Sequence, residues 1–347
     1  MTNMPDVFLH SPPRGYEAFN NLSGVIESTA PADLFALLSP TLLASFSQVF
    51  SQVRFCANMI LFAHALALAA AFIPPLSYAA KTASGGTKYM VVFGDSYSST
   101  GFWITSGYPS ASNPMGNGGS TTSGGLNWVR VVTEQLNTSL LLTYDFAVYG
   151  ATVDASLVRG NTPDVKEQVG YFNQYLADRP DYAPWSPDNL LVAIWIGIND
   201  LGNSFWDGVA APIDSVLDEY FDLVQNLTAF GVSQFAFLTV PPFQNAPSFQ
   251  NSKTASLVSN ISSWNEALKT RVDAFTSANS GVKAEVVETE KSFTTALENP
   301  SKYGATDATC SNADGTTCLW YDGYHAGQAI HKLVAQTFVD ALPGSFF

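Results

Sequence analysis

From residue 88 onward, short apolar runs and longer amphipathic stretches take turns along the chain. Five runs rich in β-branched and aromatic residues predict strands: Tyr89–Phe93, Tyr144–Val148, Leu190–Ile196, Gln234–Val240 and Lys283–Val287. Between them, apolar positions recur at helical spacing over Asn127–Leu136, Asp164–Ala177, Ile213–Phe230 and Thr254–Ser277, and a last helix is predicted over about Gly327–Ala341. The central runs, LLVAIWI above all, are apolar on both faces, as strands buried in a parallel sheet are. Strands alternating with helices through right-handed crossovers predict an α/β fold, a three-layer α/β/α sandwich around a five-stranded parallel sheet. No internal repeat or long linker follows residue 80, so residues 80–347 are predicted to form a single domain.

The region before it reads differently. From Met59 the chain runs MILFAHALALAAAF, stops at Pro74 and Pro75, and places small residues at Ser77 and Ala79. That is the pattern of a signal peptide over about 59–79, cleaved after Ala79, and it is shorter than a membrane-spanning helix. Residues 1–79 are thus predicted to be an upstream extension plus a signal that is removed, leaving a secreted protein with no stable membrane insertion. The 58 residues before Met59 exceed an ordinary leader, which favours Met59 as the true start; an uncleaved signal-anchor is the competing reading. Export would expose three N-x-S/T sequons, Asn137, Asn226 and Asn260, to glycosylation.

Composition narrows the function. The chain is 46% hydrophobic and 13% charged, too apolar for disorder, and its net charge of −14 supplies no basic field for a nucleic-acid partner. Its three cysteines, Cys56, Cys310 and Cys318, form no CxxC pair and no metal-ligand spacing, so neither a metal nor another cofactor is expected. Cys56 precedes the apolar run. Cys310 and Cys318 remain, in a polar segment where they read as a disulfide worth at most about 2–3 kcal/mol for so short a loop, with two free thiols as the alternative.

In a parallel α/β sheet the ligand crevice lies beyond the carboxyl ends of the strands, so the residues that follow each strand carry the chemistry. Gly94-Asp95-Ser96 follows the first: an exposed hydroxyl beside a turn glycine suits a nucleophile, and taken alone a helix N-cap equally. Tyr149-Gly150-Ala151 follows the second, where a glycine N–H can face an oxyanion or simply make a turn. Gly197-Ile198-Asn199-Asp200 follows the third and offers an uncharged amide donor, or an Asx turn. Ahead of the last helix stands Asp322-Gly323-Tyr324-His325. A serine needs a base, usually histidine, and a carboxylate three residues upstream can hold the imidazole in the productive tautomer. Only His325 and His331 lie beyond residue 79, and His331, inside the helix, suits packing. No G-x-S-x-G elbow is present, which argues against an ordinary α/β-hydrolase.

In that order, Ser, Gly, Asn and Asp-x-x-His, the sequence resembles the GDSL or SGNH hydrolases. The resemblance runs through FGDSYSSTG (93–101), AVYGATVD (147–154), WIGINDLG (195–202), TVPPF (239–243) and YDGYHAG (321–327). It implies a flavodoxin-like sheet and an ester hydrolase with Ser96 as nucleophile, His325 as base and Asp322 orienting it. The Ser96 and Gly150 N–H groups and the Asn199 amide would form the oxyanion hole, with Asp200 supporting the asparagine turn. Many members carry Asp where this chain has Ser99. The chain looks most like secreted fungal acetylesterases of carbohydrate esterase family 16. Trp103, Trp206 and Trp320, close to the motifs, offer faces for a sugar ring, with core or rim packing as the equal alternative. No apolar lid is visible, so a short acyl group such as acetyl on carbohydrate or xylo-oligosaccharide is expected. A lipase or phospholipase on longer acyl esters is the alternative, and a catalytically dead sugar-binding scaffold a third.

Overall fold

A computed structural model of the chain describes residues 86–342 and 346–347; the expected signal segment, the domain boundary at residue 80 and Cys56 lie outside these residues. Five strands, β1 (Lys88–Gly94), β2 (Leu141–Asp145), β3 (Leu190–Trp195), β4 (Gln234–Leu238) and β5 (Lys283–Val287), form one sheet in the order β2-β1-β3-β4-β5. Every neighbouring pair is parallel. The apolar runs read as strands are those strands, and β3 is buried at all six positions. The second differs from expectation: its ladder starts at Leu141, three residues earlier, and stops at Asp145 opposite Val92. The apolar Phe146–Val148 continue alongside β1 without forming ladder: Phe146 N–H donates to Val92 O and Val148 N–H to Gly94 O, while Ala147 N–H turns back to Asp145 Oδ1.

The helices are α1 (Trp128–Val131, continued by a π turn to Leu136), α2 (Val165–Tyr175), α3 (Ile198–Trp206), α4 (Ile213–Ala229), α5 (Ala255–Ala278), α6 (Glu290–Glu298) and α7 (Gln328–Ala341). Each has a local cause. Asp164 and Glu167 close a capping box at the start of α2. In α5, Leu257, Ile261, Trp264, Leu268, Val272 and Phe275 recur at three- and four-residue steps and are buried, one stripe laid on the core. Helices α1 and α6 pack on α7, and α2 and α5 pack on α4, which gives the sheet a helical layer on each face.

Two helices were not foreseen. Helix α3 begins directly after β3 through Gly197 at φ 114°, and its run of Asn, Asp, Gly and Ser disguised it as a turn. Helix α6 is brief and its periodicity correspondingly weak. No helix among the described residues is long and apolar enough to cross a membrane. The sequon residues Asn226 and Asn260 lie on α4 and α5, exposed and half-buried; Asn137 ends the π turn with its amide donating to the Thr133 carbonyl.

Candidate active site

In the order 2-1-3-4-5 the chain leaves β1 toward one side and β3 toward the other, so a crevice opens between their carboxyl ends. Register places Gly94 opposite Trp195, and the two segments that follow, Asp95–Ser99 and Gly197–Asp200, therefore start side by side.

The Ser96 turn is held from several directions. Gln168, buried on the inner face of α2, clasps the Gly94 peptide: Gly94 N–H donates to Oε1 and Nε2 donates to Gly94 O, both at 2.9 Å. Thr122 donates to Ser96 O at 2.7 Å, and Asn127 donates to Ser98 O at 2.6 Å. The Asp95 carboxylate accepts from Tyr97 N–H at 2.9 Å. Gln168 escaped the sequence reading, yet a signal existed: it is the polar residue on the buried stripe Val165, Val169, Phe172.

Across the crevice, Asp322 Oδ1 accepts the N–H groups of Tyr324 and His325, both at 2.7 Å, which closes a tight turn. That turn brings the two side chains together: His325 Nδ1 lies 2.8 Å from Asp322 Oδ2, and His325 Nε2 lies 2.9 Å from Ser96 Oγ. Burial pushes the Asp322 carboxyl upward, but the bond and charge of His325 and the two backbone donors outweigh it and hold it below its usual range. Asp322 is thus an anion facing the imidazole that faces the serine.

The Asn199 side chain sits in the first turn of α3 and gives one amide hydrogen to Ala151 O at 2.9 Å, leaving the other uncommitted. Gly150 has φ 72°, and a Cβ there would meet Asn161 Nδ2 at 2.5 Å, so glycine alone fits the turn. Among the described residues, neither the Ser96 nor the Gly150 N–H has an acceptor. Asp200 is buried behind Asn199 and accepts from Val153 N–H at 3.1 Å, tying α3 to the Gly150 segment.

Two tyrosines, also unforeseen, join the blocks. Tyr97 Oη donates to Tyr324 O at 2.6 Å, linking the neighbour of Ser96 to the neighbour of His325. Tyr324 Oη reaches Ile198 O at 3.4 Å, over Gly202, where a Cβ would sit 2.3 Å from that hydroxyl. His331 is packed beneath Tyr97, as its place in α7 suggested. Burial pushes its imidazole down to about 3, and its Nδ1 accepts Trp128 N–H at 3.3 Å.

The aromatic expectations divide. Trp103 and Trp206 are exposed, Trp103 against Tyr171 at the edge of a small apolar cleft with Phe102 and Val148. Trp320 corrects the sequence reading: it is wholly buried, packs on Phe293 and donates Nε1 to Ala308 O at 2.9 Å, so no sugar ring can stack on it. Ser99 is buried in the turn, its N–H on Asp95 O. Cys310 and Cys318 form the disulfide.

A serine hydroxyl on an imidazole on a carboxylate, beside free N–H donors, defines a serine hydrolase site by its geometry. The family comparison agrees: the model of the GDSL-like lipase/acylhydrolase family matches residues 90–338, and the chain belongs to that family. It is a carboxylic ester hydrolase. It is 46% identical over 274 residues to an acetylesterase of Thermothelomyces thermophilus, covering 75% of this chain and 90% of that one. It is 22% identical over 278 residues to a thermolabile hemolysin of Vibrio parahaemolyticus, covering 73% and 63%. Among solved structures it is similar to an acetylxylan esterase of Geobacillus stearothermophilus, at 16% identity, TM-score 0.48, and 77% and 99% coverage.

Proposed function

We propose that this protein is a secreted acetylesterase that removes O-acetyl groups from plant cell-wall carbohydrate or xylo-oligosaccharides. The observation that carries its chemistry is the 2.9 Å approach of Ser96 Oγ to His325 Nε2, with Asp322 on the far nitrogen. Ser96 Oγ attacks the ester carbonyl carbon while His325 Nε2 takes its proton, and ionised Asp322 stabilises the imidazolium. The carbonyl oxygen becomes an oxyanion that accepts from Ser96 N–H, Gly150 N–H and the spare Asn199 hydrogen, each such donor typically worth about 10²–10³ in rate. Collapse breaks the bond to the leaving alcohol, which receives the proton from His325. Water, deprotonated by His325, then attacks the acyl carbon; the bond to Ser96 Oγ breaks, the oxygen takes the proton back from His325, and the acid leaves.

The preference for acetyl draws on the identity with the acetylesterase, and the preference for carbohydrate on the exposed indoles of Trp103 and Trp206, close in sequence to the motifs. Secretion rests on the apolar segment at 59–79 and the sequons. The test is hydrolysis of p-nitrophenyl esters from acetate to palmitate, followed by acetate release from acetylated xylo-oligosaccharides. Highest kcat/KM on acetate together with release from the sugar is the expected result. A maximum on long acyl chains overturns the acetyl reading in favour of a lipase.

A further inference from the structure

Helix α3 carries more than Asn199. Trp206 ends it seven residues on, about 10 Å along the axis and two turns later, where a side chain returns to the same face. Its indole is 46% exposed and yet well held. The ring lies nearly flat on Phe249, with centroids 4.9 Å apart and planes at 26°, and Phe205 abuts it at 5.0 Å. Phe249 packs on Tyr324, the residue beside His325, so the support beneath the indole is continuous with the site. One indole face is thus covered while much of the ring remains open. Polar groups gather at the same helix end, from the residue next to Trp206 in the chain. Arg159 and Asp207 make a two-pronged ion pair at 2.7 and 2.9 Å, and Asn203, on the Asn199 face of the same helix, donates to Arg159 O at 2.8 Å.

We propose that Trp206 is the platform of a distal sugar subsite, taking a pyranose ring of the substrate backbone beyond the one that bears the ester. The inference rests on the carbohydrate reading above and specifies where the sugar chain lies. A pyranose has one face of C–H bonds, which suits the negative face of an aromatic ring, and a belt of hydroxyls that needs both acceptors and donors. The indole supplies the first; the exposed pair of Asp207, next in the chain, and Arg159 supplies the second. An acyl chain would use the indole but would have to strip water from the charged rim without replacing its hydrogen bonds. An indole already stacked on Phe249 also loses little freedom when it binds. A position about 10 Å down the helix from Asn199 lies beyond an acetyl group held at Ser96, so its contribution grows with the length of the alcohol.

The measurement is the gain in kcat/KM from acetylated xylose to acetylated xylotetraose, in the parent protein, Trp206→Ala and Trp206→Phe. Because the gain is a ratio within each preparation, a smaller folded fraction cancels. Trp206→Ala is expected to shrink the gain by about ten-fold, through KM of the longer substrate, and Trp206→Phe to restore part of it. A gain left intact in Trp206→Ala, or no gain in the parent, overturns the platform while the carbohydrate reading stands. A parent that hydrolyses p-nitrophenyl acetate but neither sugar overturns the carbohydrate reading itself. A loss in Trp206→Ala that instead tracks acyl length, measured as the ratio of p-nitrophenyl decanoate to acetate, overturns the sugar as occupant.

Discussion

The two walls of the crevice are built by different means. Ser96 and Asn199 follow directly from β1 and β3, and the Ser96 turn is almost wholly buried and clasped by Gln168, Thr122 and Asn127. Asp322 and His325 ride on a long segment between residues 304 and 327 with no strand or helix of its own. That segment is shaped by local devices. Asp307 and Asp314 accept from backbone N–H groups two and three residues on, the disulfide joins residues 310 and 318, and single bridges join Trp320 to Ser311 and Ala326. The difference teaches where each kind of rigidity comes from. A sheet end inherits its position from a ladder of backbone bonds, whereas a loop has to be fixed bond by bond. Tyr97 spans the gap, and through it the soft wall is referenced to the stiff one.

The strongest way to break both walls is to remove the reacting groups. Ser96→Ala and His325→Ala are each expected to lower kcat by about four decades or more, read in a p-nitrophenyl acetate assay at matched folded concentration. Labelling by a serine-reactive phosphonate should vanish in Ser96→Ala, and persistent labelling would move the nucleophile elsewhere. On the sheet side, Asn199→Ala should lower kcat by about two to three decades with little change in KM, because its bond strengthens as the oxyanion forms. A rise in KM at constant kcat would show that Asn199 holds the substrate rather than the transition state.

The loop side should answer to its braces. Replacing Cys310 and Cys318 together by serine is expected to cost about 2–3 kcal/mol in denaturant unfolding. An unchanged midpoint would mean that the loop is shaped without the disulfide. Tyr97→Phe deletes one hydroxyl that touches neither substrate nor reacting atom, so it tests the link between the walls. We expect kcat to fall by about ten-fold with KM and the melting temperature nearly constant, and equal activity would show that the walls register independently.

The smallest effect is a pH slope on the sheet side. Burial pushes Asp95 up to about 8, with the charge of Asp200 adding to it against the bond from Tyr97, and burial brings Asp145 and Asp200 up to about 7. In the unfolded chain these carboxyls ionise near pH 4, so between that value and their folded values the folded state binds more protons. Their contribution is present at low pH and lost as pH rises through 7 to 8. His331 works in the opposite sense. It is neutral when folded down to about 3, so its contribution is lost only as pH falls below about 6.5. The loss is complete by about pH 8, so the melting temperature is expected to fall from pH 6.5 to 8 and then level off, and Asp95→Asn should flatten the fall. An equal slope in the variant would assign it to other groups.

Much of this was legible in the chain before folding. The apolar runs at 89–93 and 190–196 could be little but buried strands, and the residues after them carried the chemistry. Ser96, Gly150, Asn199, Asp322 and His325 were all named from sequence; the first meets the last two through hydrogen bonds, and Asn199 meets the Gly150 segment at Ala151 O. What sequence reading missed shares one cause. Helix α3 spans only nine residues, and the Asn, Asp, Gly and Ser among them read as a turn until it is seen packed on α5. Trp320 and Trp206 look alike in sequence, yet one is sealed in the core and the other lies on the surface.

The chain by itself determined which residues can do chemistry and where strands must lie, because nucleophilicity, donor type and a two-sided apolar run are properties of residues and their near neighbours. Only the tertiary structure decided that a hydroxyl and an imidazole 229 positions apart stand 2.9 Å from each other. It also decided which carboxyls burial pushes upward and which indole faces water. Those facts depend on distance and burial, which arise when remote segments pack together and are written in no local stretch of sequence.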